Sequence, residues 1–330
     1  MQQAIKHNET QYSYLIRVVA ILLVIIDHCT AWYSAEDVDW RICVYVFGCD
    51  SLLFFLVSGA HNLPVTDTRR FYLRRLRIVG IPTILFTILY AFLDRYVAGP
   101  EPARTAYRFL LDVPFYLPQD WLWYMYVLGG LYLIAPFISQ VILNGKKRLI
   151  EFFLCLWLFT GYFPYIEAFF GRQMPVENVF YPFCGYLGYM LAGWYLLCYP
   201  FRTWSMAHKM SVMSLLIFNA LLPLAISHTT IDSYCTLHGV YKCNLTACIM
   251  SLTLIVFILL QQVETLGRRA DKVVKFIAKT SFAMYLLHYL VANYVSMPMI
   301  DSGYLTPFTA TLTTLAVTTL AAIPLRYLIK

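Results

Sequence analysis

Residues 17–28 read RVVAILLVIIDH, an arginine and an apolar run that ends in Asp27 and His28. The surrounding segment, from Tyr12 to Tyr33, has the length and apolar character of a helix that crosses a membrane. A charged side chain at the centre of a bilayer costs about 2.5–3.5 kcal/mol, so such residues usually face a protein interior. The stretch therefore predicts a membrane helix whose polar residues face other helices.

The composition extends this prediction to the whole chain. Its 330 residues are 60% hydrophobic and 13% charged, about half of the roughly 25% charged residues found in soluble domains. The mean hydropathy is +0.63. The apolar runs are continuous over about 20 residues, whereas the strands of a membrane barrel alternate over about 10. We therefore predict an all-α, polytopic transmembrane helix bundle in contact with the lipid bilayer.

About ten runs are long enough to cross a bilayer. The fifth is short and broken near Pro164. We find no internal repeat, no low-complexity stretch and no extramembrane domain, so residues 1–330 are predicted to form a single membrane domain. The runs cover residues 13–33, 42–60, 78–97, 120–142, 149–164, 179–199, 210–228, 243–262, 276–296 and 306–328.

Basic residues follow every second predicted span. Since cytoplasmic loops carry an excess of Lys and Arg, these loops and both termini are predicted to be cytoplasmic. The net charge of +7 is spread over these short loops, so we expect no nucleic-acid partner. The polar leader MQQAIKHNETQ predicts no cleavable signal peptide. The basic residues are Arg69, Arg70, Arg74, Arg75 and Arg77, then Lys146, Lys147 and Arg148, then Arg202 and Lys209, then Arg268, Arg269, Lys272, Lys275 and Lys279, and finally Arg326 and Lys330.

The nine cysteines are scattered, mostly in apolar runs, and none forms a CxxC pair. This pattern indicates small buried side chains and no metal site. Cys235 and Cys243 lie in or beside one predicted outer loop. A disulfide between them and two free thiols both remain open.

Two histidines are candidates for chemistry. Arg17 and His28 are eleven residues apart, which on a helix is about three turns and ~16 Å, on roughly one face. His288, in SFAMYLLHYL, is predicted to reach a similar depth in the ninth span. Two histidines at one level indicate a shared polar cavity. The alternatives are an interfacial histidine beside a snorkelling arginine, and a histidine that only packs helices.

The sequence RRFYLRRLRIVGIP, residues 69–82, places arginines at the start of the third span. Arg74 and Arg77 are three residues apart, so on a helix their side chains project together, as binding of phosphate oxygens requires. A phosphate-bearing cytoplasmic donor is one explanation. Orientation of the chain by positive charge is the other.

Two further stretches carry weaker signals. Ser58 and Gly59 end the second span, and small residues there favour close helix approach. Trp123 belongs to the tryptophan- and tyrosine-rich start of the fourth span, WLWYMYVLGGLYLIAP. Its ring either sits in an interfacial aromatic belt or stacks on a sugar.

Together these stretches resemble the acyltransferase 3 family of polytopic membrane acyltransferases. The family signature in the first span is an arginine, ten residues and a histidine, which Arg17 and His28 match. Arg74 and Arg77 match its R-x-x-R motif. FFLVSG, residues 54–59, is similar to the family's exit from the second span, and SFAMYLLH, residues 281–288, fits late in the chain.

The resemblance implies an O-acyltransferase, usually an O-acetyltransferase, in a bacterial plasma (inner) membrane. It implies transfer from the co-substrate acetyl-CoA to a hydroxyl of a cell-surface glycan or its lipid-linked precursor, with no metal. His28 is then the base or acyl relay, because imidazole suits proton transfer near neutral pH. Arg17 with Arg74 and Arg77 would bind the phosphates of coenzyme A. The candidates for the acceptor cavity are His288, Tyr285, Ser58 and Trp123.

Other classes remain open at this stage. A transporter or flippase for a glycan or amino acid also uses arginine and histidine inside a bundle, although the paired repeats typical of carriers are not evident. A ligand-binding membrane module would bind the acceptor without releasing coenzyme A. The sequence also leaves open the acyl group, acetyl or succinyl, and whether the protein forms a homodimer.

Overall fold

The computed structural model describes residues 11–30, 48–97, 120–170, 178–225 and 244–328. Within these ranges every regular element is helical and none is a strand, so the all-α prediction is confirmed. The α-helices are α1 (Gln11–Thr30), α2 (Leu52–Asn62), α3 (Thr68–Arg75), α4 (Ile81–Val97), α5 (Trp123–Leu143), α6 (Lys147–Thr160), α7 (Phe163–Phe170), α8 (Leu187–Cys198), α9 (Met206–Ala225), α10 (Ala247–Gln261), α11 (Arg268–Val291), α12 (Met297–Asp301) and α13 (Pro307–Leu328).

Five segments of the described chain are long and apolar enough to cross a membrane. Four shorter apolar helices accompany them: α2, α8, Met206–Leu222 of α9, and α10. The protein is therefore a multi-pass membrane protein by the length and composition of its helices. The predicted number of about ten spans and the cytoplasmic location of the termini stay predictions. The five segments are Gln11–Cys29, Thr68–Leu93, Trp123–Leu143, Lys147–Glu167 and Pro307–Tyr327.

The chain divides into two compact units. Unit 1 consists of Met1–Leu63 and Val141–Ala278, and unit 2 of Pro64–Gln140 and Lys279–Lys330. The division falls within α5 and within α11, so both helices contribute to both units. The prediction of one membrane domain over residues 1–330 stays a prediction.

In unit 1, α2 and α8 cross at glycines. A Cβ atom added at Gly59 would lie 1.7 Å from the carbonyl oxygen of Met190, and one added at Gly193 would lie 1.9 Å from that of Leu56. Both distances are far below van der Waals contact, so each position requires a residue without a side chain. The close helix approach predicted from Gly59 is confirmed.

The predicted break of the fifth span is also present in unit 1. Helix α6 ends at Thr160, and α7 begins at Phe163, immediately before Pro164. Gly161 lies against the start of α10, where an added Cβ would be 2.8 Å from the backbone nitrogen of Ala247. The break therefore coincides with a close contact between helices.

The described part of unit 2 contains two π-helical turns. The first, Leu76–Gly80, joins α3 to α4, and the second, Ala292–Ser296, joins α11 to α12. A π-helical turn has i→i+5 hydrogen bonds and is frequent at functional sites. Each turn lies at or just beyond a group of candidate residues, Arg74 and Arg77 in one case, and Tyr285 and His288 in the other.

Two helices, α3 and α11, begin more than two helical turns earlier than the hydropathy pattern predicts. The third span was expected from residue 78, but α3 begins at Thr68, where the Asp67 side chain accepts a hydrogen bond from the Arg70 backbone nitrogen at 2.9 Å. The ninth was expected from residue 276, but α11 begins at Arg268 and gains the i,i+4 pair of Asp271 and Lys275. Capping and ion pairing extend both helices beyond their apolar cores.

Candidate active site

Arg17 and His28 lie on one uninterrupted helix of unit 1. Because α1 runs from Gln11 to Thr30 without a break, the rise between the two residues is about 16 Å and their directions differ by only about 20°. Both side chains are half-buried. One face of α1 therefore presents a guanidinium near its start and an imidazole in its last turn.

Ser58 lies in a small polar cluster at the end of α2. Its side chain is buried, and the Asn62 side-chain nitrogen donates to the Ser58 carbonyl at 2.8 Å and to its hydroxyl at 3.1 Å. The neighbouring His61 ring, through Nε2, shares a 2.6 Å hydrogen bond with the Ser13 hydroxyl on α1. Since Ser13 lies one turn before Arg17, this cluster borders the face of α1 that carries the arginine.

His61 and Ser13 were not singled out from the sequence. The signal available was the polar end of an apolar helix, SGAHN at residues 58–62. The pairing with Ser13 joins residues that are 48 positions apart, so it depends on how α1 packs against α2.

In unit 2, Arg74 and Arg77 line one exposed depression of about 570 Å³. Arg74 ends α3 and Arg77 lies in the following π-helical turn, so the two side chains project together as their spacing predicts. The depression carries four guanidinium groups and one carboxylate, and is therefore strongly cationic. Its lining residues are Asp67, Arg69, Arg70, Leu73, Arg74, Arg77 and Ile78.

Arg75 points elsewhere, although it belongs to the same basic motif. Its guanidinium carbon lies 5.5 Å from the centre of the Phe71 ring and 5.2 Å from that of Tyr132. Cation–π contacts of this kind stabilise packing between helices. The structure thus separates an arginine that packs from arginines that face outward, a distinction that the sequence RRFYLRR does not make.

His288 and Tyr285 are buried within unit 2, with only 1% and 3% of their surface exposed. The His288 Nδ1 donates to the Tyr285 carbonyl oxygen at 2.5 Å, and the Tyr285 hydroxyl donates to the Trp121 carbonyl at 2.7 Å. A carbonyl oxygen only accepts, so Nδ1 carries a proton in this contact, and in the neutral form of the ring Nε2 would be the hydrogen-bond acceptor.

Trp123 joins this group through aromatic contacts. Its ring packs edge-to-face against Tyr124 at 6.4 Å, and Tyr124 packs against Tyr285 at 5.4 Å. The structure therefore brings Trp123, Tyr285 and His288 into one chain of contacting rings. Ser58, the fourth cavity candidate, belongs to unit 1, as do Arg17 and His28.

No metal site is evident in the described ranges, where no group of three or more His, Cys, Asp or Glu side chains could hold an ion. None of the six cysteines within those ranges is part of a disulfide: Cys29, Cys49, Cys155, Cys184, Cys198 and Cys248. Cys235 and Cys243 lie outside the described residues, so the question of their disulfide stays open.

The apolar helices define a multi-pass membrane protein that is all-helical over the described residues and carries histidine and arginine side chains on those helices. The chain belongs to the acyltransferase 3 family, since a family model described as an acyltransferase domain matches residues 11–327. It is a membrane acyltransferase. Searches of curated proteins and of solved structures return no match.

Proposed function

We propose that the protein is an O-acetyltransferase that moves an acetyl group from cytoplasmic acetyl-CoA to a hydroxyl of a cell-surface glycan or its lipid-linked precursor. The observation that carries this proposal is the cationic depression on α3. Arginine forks bind phosphate oxygens through paired hydrogen bonds, and coenzyme A carries several phosphates. Arg74 and Arg77 would bind them.

The geometry of α1 supports different roles for the residues at its two ends. Arg17 would add a guanidinium to the donor site, while His28, about 16 Å further along the helix, would act at the thioester. This separation is similar to the length of an extended pantetheine arm. His28 would remove the proton from the acceptor hydroxyl, or relay the acyl group, as imidazole can near neutral pH.

The acceptor side of the proposal rests on buried polar and aromatic groups. His288 and Tyr285 would line the acceptor cavity, and Trp123 would contact the sugar through its ring. Ser58 is a further candidate for the cavity. Aromatic rings with polar groups beside them suit a glycan, since its faces are apolar and its edges carry hydroxyls.

A resemblance within the family narrows the acceptor class. HCTAWY, residues 28–33, is similar to the corresponding stretch of the O-acetyltransferase of enterobacterial common antigen. We therefore propose an envelope glycan as acceptor and the bacterial plasma membrane as location. Acetyl-CoA would be the acyl donor, with no metal involved.

The decisive experiment is acetyl-CoA binding to the purified protein in nanodiscs at moderate salt. We expect the Arg74→Ala, Arg77→Ala double variant to lose at least about tenfold in affinity, because charged hydrogen bonds contribute about 1.5–3 kcal/mol each. The matched control is the Arg268→Ala, Arg269→Ala variant, which removes two exposed arginines from α11. It should bind like the wild type.

The possible outcomes separate the remaining classes. Equal weakening in both double variants would indicate attraction by overall charge rather than a donor site. Absence of binding to the folded wild-type protein would contradict the proposal. Measurement of substrate flux without acyl-CoA would then test the transporter alternative.

A further inference from the structure

The turn of α11 that carries His288 is bonded to a tyrosine of α4. The Tyr90 hydroxyl donates to the Leu286 carbonyl oxygen at 2.7 Å and accepts from the Leu290 backbone nitrogen at 3.1 Å. In an α-helix these two backbone groups, four residues apart, form a hydrogen bond with each other. Tyr90 is fully buried, so its oxygen bridges the two ends of the turn away from solvent.

Other contacts hold the same turn from a second direction. The Tyr289 ring stacks on Trp121 with centres 3.6 Å apart and planes at 12°. The Tyr285 hydroxyl donates to the Trp121 carbonyl. Tyr90 also packs edge-to-face against Trp121 and Tyr289, at 5.5 and 6.2 Å. The residues on both sides of His288 are therefore held by one group of aromatic side chains.

The helix changes geometry immediately after this bridge. The π-helical turn Ala292–Ser296 begins two residues beyond Leu290. A side chain that bonds into the backbone ladder is a recognised cause of helix distortion, and π-helical turns are frequent at functional sites. The Tyr90 oxygen thus lies where α11 leaves regular α-helical geometry, next to a buried imidazole.

We infer that Tyr90 is a positioning residue for acyl transfer and that it acts through His288. By bridging Leu286 and Leu290 it holds the turn in the form in which His288 Nε2 accepts a hydrogen bond from a hydroxyl of the acceptor and orients it. Tyr90 itself touches no reacting atom. This inference rests on the proposed function, in which His288 lines the acceptor cavity.

The test uses Tyr90→Phe, which removes only the bridging oxygen. Its matched control is Thr87→Val, because Thr87 is a buried residue one turn earlier on α4 whose hydroxyl donates to the Thr83 carbonyl and shares a 3.1 Å hydrogen bond with the Tyr126 hydroxyl of α5, so that this variant also removes a buried hydroxyl but leaves the bridge to α11 in place. The assay measures transfer of radiolabelled acetyl from acetyl-CoA to an extract of lipid-linked envelope glycans by the full chain in nanodiscs.

We expect Tyr90→Phe to lower kcat by about 10- to 100-fold, the effect of a small misplacement of a reacting geometry. The KM for acetyl-CoA should change by less than about twofold, since donor binding is not altered. Thr87→Val should resemble the wild type. If Tyr90 acts through His288, the Tyr90→Phe, His288→Gln double variant should be no slower than His288→Gln alone.

Three results would overturn the inference: wild-type kcat in Tyr90→Phe, an equal loss in Thr87→Val, or a further loss when Tyr90→Phe is added to His288→Gln. If the wild-type protein transfers no acetyl group, the proposed function fails instead. Hydrogen exchange over residues 285–291 then tests the bridge separately. Faster exchange in Tyr90→Phe than in Thr87→Val would support it, and equal exchange would refute it.

Discussion

The glycine crossing of unit 1 and the tyrosine hydrogen bonds of unit 2 hold helices together in opposite ways, although unit 1 also has a bond of the second kind, from the Tyr189 hydroxyl to the Asn244 carbonyl at 2.6 Å. In unit 1, α2 and α8 approach so closely at Gly59 and Gly193 that no side chain fits between their backbones. In unit 2, tyrosine hydroxyls reach across to backbone carbonyls of other segments, as Tyr72 does to Leu133 at 2.8 Å and Tyr90 does to Leu286 at 2.7 Å.

This difference indicates how each unit responds to change. The contact in unit 1 depends on the absence of atoms, so it should be disrupted by an added methyl group. The contacts in unit 2 depend on single oxygen atoms, so they should be disrupted by removing an oxygen. The two candidate histidines also differ in their surroundings. His28 lies on a regular helix, whereas His288 lies in a helical turn that the Tyr90 hydroxyl of another helix bridges.

The largest expected effect concerns which unit supplies the base. His28→Ala should lower acetyl transfer by about 10²–10⁴-fold, the usual contribution of general acid–base catalysis, or about 3–5 kcal/mol of activation free energy. His288→Ala should cost less, about 10- to 100-fold, because it removes an orienting group. Transfer rates in nanodiscs measure both.

His208→Ala is the control for this comparison, since His208 is exposed and bonds to Ser205 within its own turn. It should leave transfer unchanged. Retention of full activity by His28→Ala would refute the proposed base, and a larger loss in His288→Ala than in His28→Ala would reverse the assignment of the two units.

The next effect is on stability and is specific to unit 1. Gly59→Ala would force a Cβ atom against the Met190 backbone, and overpacking of this kind costs about 1–3 kcal/mol or more. Gly129→Ala on α5 is the matched control, because nothing lies within 4 Å of its added Cβ. Alanine there should stabilise its helix by about 0.5–1 kcal/mol. The midpoint of thermal unfolding in detergent should therefore fall for Gly59→Ala and rise for Gly129→Ala.

The smallest effect is expected from removing an oxygen in unit 2. Tyr72→Phe loses the hydrogen bond to Leu133 and should cost about 0.5–1.5 kcal/mol of unfolding free energy. Tyr304→Phe provides the control, since that side chain is 79% exposed. If the unfolding midpoint of Tyr72→Phe equals that of Tyr304→Phe, such hydroxyl oxygens contribute little to the stability of unit 2.

The sequence predicts the helical class and most helix positions because continuous apolar runs have few alternatives in a membrane. The break at Pro164 is predicted for a local reason, the lost backbone donor of proline. The early starts of α3 and α11 are not, because their first turns are charged and resemble loops by hydropathy. The signal that could have located the start of α3 is Asp67, a residue type favoured at helix N-caps, immediately before the basic segment that begins at Thr68.

The site could be predicted only in part. The Arg17–His28 and Arg74–Arg77 relationships follow from spacing along single helices, which a sequence contains directly. The Tyr90 bridge joins Tyr90 to Leu286, which is 196 positions further along the chain, and to Leu290, which is 200 positions further. Nothing in the local sequence distinguishes Tyr90 from the chain's other tyrosines. The different orientation of Arg75 likewise depends on Tyr132, which another helix supplies.

The π-helical turn Leu76–Gly80 has a consequence for how the third membrane segment can vary. A π-helical turn has i→i+5 hydrogen bonds and therefore uses about one residue more per turn than an α-helical turn. The extra residue is taken up within the turn, so the residues before and after it keep the relative azimuths of an uninterrupted helix that is one residue shorter. Deleting a single residue from the turn should restore regular α-helical winding and leave the cationic depression close to its present orientation, with every residue of the R-x-x-R motif still present.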